Sequence, residues 1–93
     1  MPQLLVSEGV RTLLGELSSW KLIGDRIERI VRFDGFPQAI EFVNRVAALA
    51  EELNHHPDID IRWNKVRLVS STHSAGGLTE KDFTLARKID RLI

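Results

Sequence analysis

All three histidines of this 93-residue chain fall between positions 55 and 73, and the first fifty residues hold none. They stand in the segments Asn54-His55-His56-Pro57 and Thr72-His73, with Glu51 just upstream. Imidazole gives and takes a proton near neutrality because its free pKa is about 6.5, so two imidazoles could divide acid and base work between them. A leaving hydroxyl must be protonated as its carbon–oxygen bond breaks, and a nearby carboxylate can orient an imidazole or a substrate N–H. Glu51 is the natural orienting group, because it precedes His55 by four residues and the two would share one helix face. Pro57 requires the helix to have ended by then, so His55 is expected at its exit. Two other readings stay open. Glu51, His55 and His73 could form a two-histidine, one-carboxylate metal set with an open position, although adjacent histidines rarely ligate one ion and no cysteine or second carboxylate stands at the usual spacing. The histidines could also simply cap a helix and decorate loops. Residue types alone lead to a small histidine-containing pocket and name no substrate.

The elements that must position these residues follow from periodicity. Val10, Leu13, Leu14 and Leu17 recur at helical spacing, which predicts a helix over Ser7–Leu17 with Ser7 as its cap. Two extended runs, Trp20–Ile23 and Arg26–Phe33, flank Gly24-Asp25 and read as a hairpin. After Asp34-Gly35, Pro37 suits the first turn of a long helix, whose apolar stripe comprises Phe36, Ala39, Ile40, Val43, Val46, Ala47, Ala50 and Leu53. Phe42 and Leu49 lie beside that stripe and either widen the core contact or begin a subunit interface. Ile59, Ile61 and Trp63 alternate with Asp60 and Arg62, the pattern of a half-buried strand. Asn64-Lys65 separates it from a second run, Val66–Ser71, so another antiparallel hairpin is expected. Ala75-Gly76-Gly77 ends the extended region. Thr79 and Asp82 then form a capping box, opening a last helix with Phe83, Ala86, Ile89 and Ile93 on its apolar face. The order α-β-β-α-β-β-α predicts an α+β fold: one domain over residues 1–93, a four-stranded antiparallel sheet with the helices packed on one face. The open edges of such a sheet must be covered, charged or paired, and a homodimer is the economical solution.

Composition excludes several classes. Thirteen basic residues balance thirteen acidic ones, so net charge supplies no phosphate attraction and direct nucleic-acid binding is not expected. The content of 43% hydrophobic and 28% charged residues is that of a folding chain. No cysteine is present, which fits a reducing compartment. The start, Met1-Pro2-Gln3-Leu4-Leu5-Val6-Ser7-Glu8, has neither the basic segment nor the apolar length of a signal peptide or membrane span. A cytoplasmic location is the expectation.

The run Ala50-Glu51-Glu52-Leu53-Asn54-His55-His56-Pro57, then Trp63-Asn64-Lys65-Val66, Ser71-Thr72-His73 and Gly77-Leu78-Thr79-Glu80-Lys81-Asp82, closely resembles the pterin-4a-carbinolamine dehydratase family. Weaker similarity runs back through Arg45-Val46-Ala47, Phe33, Phe36, Phe42 and Trp20. The resemblance implies a lyase that dehydrates 4a-hydroxytetrahydropterin to quinonoid dihydropterin and water, recycling the pterin consumed by aromatic amino-acid hydroxylases, with no metal and no separate cofactor. It implies His55, His56 and His73 as the catalytic set, His55 and His73 being the acid–base pair and His56 chiefly positioning the pterin. Glu51, Trp63 and Asp82 would bind substrate, though Asp82 could equally serve as a helix-end carboxylate. Trp63 stands where members often carry tyrosine, and Ile59 replaces an aromatic of animal members. Family members form dimers or tetramers. Some animal members are dimerisation cofactors of a homeodomain transcription factor, and divergent relatives assist carbon-fixation assembly, so a non-catalytic interaction or assembly protein is the alternative.

Overall fold

The computed structural model describes residues 3–93; Met1 and Pro2, which belong to the start discussed above, lie outside the described residues. The element order is α1 (Ser7–Leu14), β1 (Lys21–Ile23), β2 (Arg26–Arg32), α2 (Phe36–Leu53), β3 (Asp58–Arg62), β4 (Lys65–Ser70), a short 3₁₀ turn at His73–Ala75, and α3 (Glu80–Asp90). The four strands form one antiparallel sheet in the order β1-β2-β4-β3. This is the expected α+β architecture, with both hairpins flanking a central antiparallel pair in which Ile27 faces Ser70 and Val31 faces Val66. The inward side of that pair, Ile27, Val31, Val66 and Leu68, packs in one core cluster with Ala39, Phe42 and Val46 of α2 and Phe83, Leu85, Ala86 and Ile89 of α3. Each fully buried large side chain contributes about 1.5–3 kcal/mol.

Local details differ from the sequence reading in instructive ways. Helix α1 stops at Leu14, and i→i+3 hydrogen bonds from Glu16, Leu17 and Trp20 tighten the chain beyond it, which still buries Leu17 and Trp20. Val6, not Ser7, is the N-cap residue, and no side chain caps the helix. Trp20 precedes β1. It is buried, and its Nε1–H donates to Asp90 Oδ1 at 2.8 Å while Arg29 pairs with the same carboxylate. In α2 the buried line is Ala39, Phe42, Val46 and Ala50, while Phe36 is half exposed and Ala47 exposed. Phe42 is only 4% exposed and its ring lies 5.0 Å from that of Phe33. It belongs to the chain's own core and offers no surface to a neighbour. Ile93 lies past the end of α3 and is exposed.

The β3–β4 turn is displaced by one residue. Arg62 faces Lys65, so Trp63 and Asn64 form the two-residue loop, and Trp63 does not continue the strand. It takes φ +53° and is 69% exposed. At the other end of the sheet, Thr79 and Asp82 make the expected capping box at α3.

Candidate active site

Helix α2 ends in a way that decides where its histidines point. Asn54 adopts the left-handed conformation (φ 50°, ψ 45°), its N–H bonds to Glu51 O, and the His55 N–H bonds to Ala50 O at 3.0 Å. This pair of bonds is a Schellman ending, and Asn is one of the few residues that tolerates its left-handed position. The chain therefore leaves the helix axis at Asn54, and His55 turns inward instead of standing above Glu51. The expected Glu51–His55 pairing does not form. Glu51 meets His56 instead, Oε2 to Nε2 at 2.5 Å, on the exposed side.

The partner of His55 is Asp82, 27 residues away, with Nε2 to Oδ1 at 2.6 Å. The His55 side chain is 10% exposed and that of Asp82 0%. Asp82 Oδ1 also accepts from Ser70 Oγ at 2.6 Å, and Oδ2 accepts from Thr72 Oγ1 at 2.8 Å and from the Thr79 N–H at 2.9 Å. Four donors thus converge on one carboxylate, and the Thr72 and Thr79 hydroxyls bond each other at 2.8 Å. A buried carboxylate is tolerable only when its lone pairs are satisfied in this manner. With the carboxylate accepting from Nε2–H, the other ring nitrogen of His55 is the one left for chemistry.

His73 arrives from the opposite wall. Thr72 and Gly77 bridge each other, with Thr72 N–H to Gly77 O at 2.8 Å and Gly77 N–H to Thr72 O at 3.3 Å. The enclosed residues curl into a 3₁₀ turn closed by Gly76 at φ +77°. This loop holds His73 and Ser74 outward, both exposed. Between the two walls lies an open cleft of ≈ 380 Å³ lined by Asn54, His55, His56, Ser71, Thr72, His73, Ser74 and Lys81. That volume suits a small bicyclic ligand.

The structure thus brings the three histidines to one cleft, with Glu51 beside it through His56. Asp82 is adjacent but enclosed, and it reaches the cleft through His55 and Thr72, which both line it. Trp63 is not brought there at all. It sits at the far end of the β3–β4 hairpin, about 20 Å from the cleft by strand rise. Among the described residues, no three His, Cys, Asp or Glu side chains are grouped to hold a metal ion, and Glu51, His55 and His73 do not converge. Sequence reasoning missed Ser70, Thr72 and Lys81; Thr79 was seen only as a cap. The available signals were the capping box, which places Asp82 at the first turn of a helix beginning next to the histidine loop, and the family-like runs that contain Thr72 and Lys81. No helix among the described residues is long and apolar enough to cross a membrane.

The family model described as "Pterin 4 alpha carbinolamine dehydratase" matches residues 3–92. A Nocardia farcinica protein whose name assigns it provisionally to pterin-4-alpha-carbinolamine dehydratase is 53% identical over 97% of this chain and 95% of its own. A Roseiflexus castenholzii protein with the same name is 52% identical over the full length of both. Among solved structures, a transcriptional coactivator/pterin dehydratase from Brucella melitensis superposes with a TM-score of 0.91 at 32% identity, covering 95% of this chain and 96% of that one. A pterin dehydratase-like protein identified as a RuBisCO assembly factor in the alpha-carboxysome gives a TM-score of 0.68 at 26% identity, covering 80% and 88%.

Proposed function

The chain belongs to the pterin-4a-carbinolamine dehydratase family, and from that membership we propose that it dehydrates 4a-hydroxytetrahydropterin to quinonoid dihydropterin and water. The observation that carries this reading is the pair formed by His55 and the enclosed Asp82 at a cleft that also holds His56 and His73. In the reaction the carbon–oxygen bond at C4a breaks, the hydroxyl leaves as water after receiving a proton, and the ring loses a proton from nitrogen. One imidazolium acid and one imidazole base suffice, because the ring nitrogen next to C4a supplies electron density as the hydroxyl departs.

Roles follow from placement. Asp82 holds one nitrogen of His55 and fixes the ring of a residue that lines the cleft, so the second nitrogen is the one left for the substrate; the carboxylate is a positioning group and not a substrate contact. His73, exposed on its short loop, is the proton partner across the cleft. His56, held by Glu51 at the open rim, positions the pterin, and the Glu51 carboxylate serves as acceptor for a ring N–H. Lys81 lines the same cleft. The reading assigns no metal and no cofactor, sets the protein in the cytoplasm, and links it to a hydroxylase that consumes tetrahydropterin. A homodimer or homotetramer is part of the proposal.

A second reading, a non-catalytic assembly or interaction factor, is favoured by the RuBisCO assembly factor among the fold neighbours. It gives no reason for three histidines around one cleft. The test is decay of 4a-hydroxytetrahydropterin, generated in situ and followed by absorbance, with and without chelator. Acceleration over the spontaneous rate that survives chelator supports the dehydratase, and a folded protein that gives none rejects it in favour of the assembly factor.

A further inference from the structure

At β1 the core layer of the sheet is unfinished. Leu22 faces Ile27 across the β1–β2 ladder, so the two side chains stand on the same side of the sheet. Ile27 is fully buried, whereas Leu22 keeps 45% of its surface open. The cause is local. Helix α1 has only eight residues and β1 only three, and glycines border the gap. Gly24 at φ +60° and Gly76 at φ +77° hold backbone conformations that side chains avoid, so neither position supplies atoms to fill it. What remains is a hollow of ≈ 350 Å³ walled by Leu4, Leu5, Val10, Leu22 and Leu78, a volume in the range of small-ligand pockets.

We infer that this hollow is a second ligand site and that it takes a medium-chain carboxylate, with the aliphatic tail against the leucines and the head on Arg11. Ser7, Val10 and Arg11 are spaced i, i+3 and i+4 along α1 and share one face, and all three line the hollow. Val10 is buried and Arg11 exposed, so the cation stands at the open side. Among the described residues the ion pairs do not include Arg11. The carboxylate in the lining, Asp25, is paired with Arg26, Oδ1 to Nε at 3.6 Å. The hollow therefore offers one uncompensated guanidinium beside an apolar wall, which favours a planar anion with an apolar tail over a neutral or cationic amphiphile. The same hollow backs onto the histidine turn. Gly76 and Gly77 line it, and these residues close the turn that carries His73: the Gly76 N–H bonds to Thr72 O at 3.0 Å, and Gly77 pairs with Thr72. Leu4 lies directly behind Gly77, where an added Cβ would come within 2.9 Å of Leu4 Cδ1. A tail packed beside Leu4 thus steadies the turn from behind, although the hollow and the cleft share no lining residue.

The site does not depend on the reaction at the cleft, and its test needs no turnover. Decanoate is the probe, added to the intact protein in a calorimetric titration. It binds roughly tenfold more tightly than octanoate, the gain for two buried methylenes. Arg11→Gln weakens decanoate by about tenfold, the loss of a charge-assisted hydrogen bond, and leaves decanol unchanged. Leu22→Trp fills the hollow from an exposed position and abolishes binding of both. Amide hydrogen exchange at Ala75, Gly76 and Gly77 slows when decanoate is bound. Absence of binding by a folded wild type overturns the site, as does binding that persists in a folded Leu22→Trp. Equal affinity of decanoate for the wild type and Arg11→Gln overturns the carboxylate assignment, and unchanged exchange at the three amides of the liganded protein overturns the link to the His73 turn.

Discussion

The two walls of the histidine cleft are built on opposite principles. One wall is buried: His55, Asp82, Ser70, Thr72 and Thr79 share a network in which the carboxylate has no exposed surface and accepts four hydrogen bonds. The other is open: His56 and Glu51 pair at the rim and His73 stands on a three-residue turn, all exposed. The difference teaches where precision and where chemistry are kept. A network in a low-dielectric interior locks one imidazole in a single orientation, and each missing partner there costs the full desolvation of another group. Side chains at the rim cost the fold little and are free to meet a ligand. Substitutions in the first wall should therefore damage stability and function together, and substitutions in the second should separate them.

Asp82→Ala gives the largest effect. It strands His55, Ser70, Thr72 and the Thr79 N–H, so a loss of about 3–5 kcal/mol is expected. This corresponds to a fall in Tm of roughly 15 °C or more by calorimetry, with activity lost at the same time. If Asp82→Ala melts like the wild type, the buried wall does not hold the site together. His73→Ala comes next, with the opposite signature: dehydration slows by about 10²–10⁴-fold while chemical denaturation places stability within about 0.5 kcal/mol of the wild type. A comparable loss of stability would erase the distinction between the walls.

Asn54→Ala sharpens the comparison at its hinge. Alanine in the left-handed position costs about 1–2 kcal/mol, whereas Asn54→Gly should match the wild type in urea denaturation; equal costs for both would show that the helix ending does not depend on this conformation. The smallest effect belongs to Glu51→Gln. Its partner His56 is exposed and surface pairs contribute little, so Tm should not move, and steady-state kinetics should show KM raised a few-fold with kcat less affected. A large fall in Tm would mean that Glu51 supports the fold.

Much of this arrangement is legible in the sequence. Hydrophobic periods of two and of 3.6, Gly24-Asp25, Pro37 and the Thr79–Asp82 capping box led to the right elements in the right order, because each signal is local and carries its own physical reason. The clustering of histidines after position 50 led to the cleft. What escaped the sequence was decided by single torsions and long-range contacts. One left-handed residue, Asn54, turned His55 away from Glu51. The bond from His55 to Asp82 closes a 27-residue loop that no spacing rule addresses. Trp63 alternates correctly with Ile59 and Ile61, yet it takes a turn position, since the register set by Arg62 and Lys65 makes it the first loop residue. The spacing of Phe42 and Leu49 leaves both core contact and interface open, and burial decides Phe42 for the core.

The central claim is that His55, fixed from below by Asp82, and His73, presented from the open side, together remove water from the pterin. Single-turnover stopped-flow decay of 4a-hydroxytetrahydropterin on the wild type, His55→Ala, His73→Ala and the double variant tests it most directly. The account predicts fast decay on the wild type, a large loss in each single variant, and a double variant hardly slower than either, since both groups serve one proton-transfer event. Decay in both single variants at the wild-type rate would contradict it.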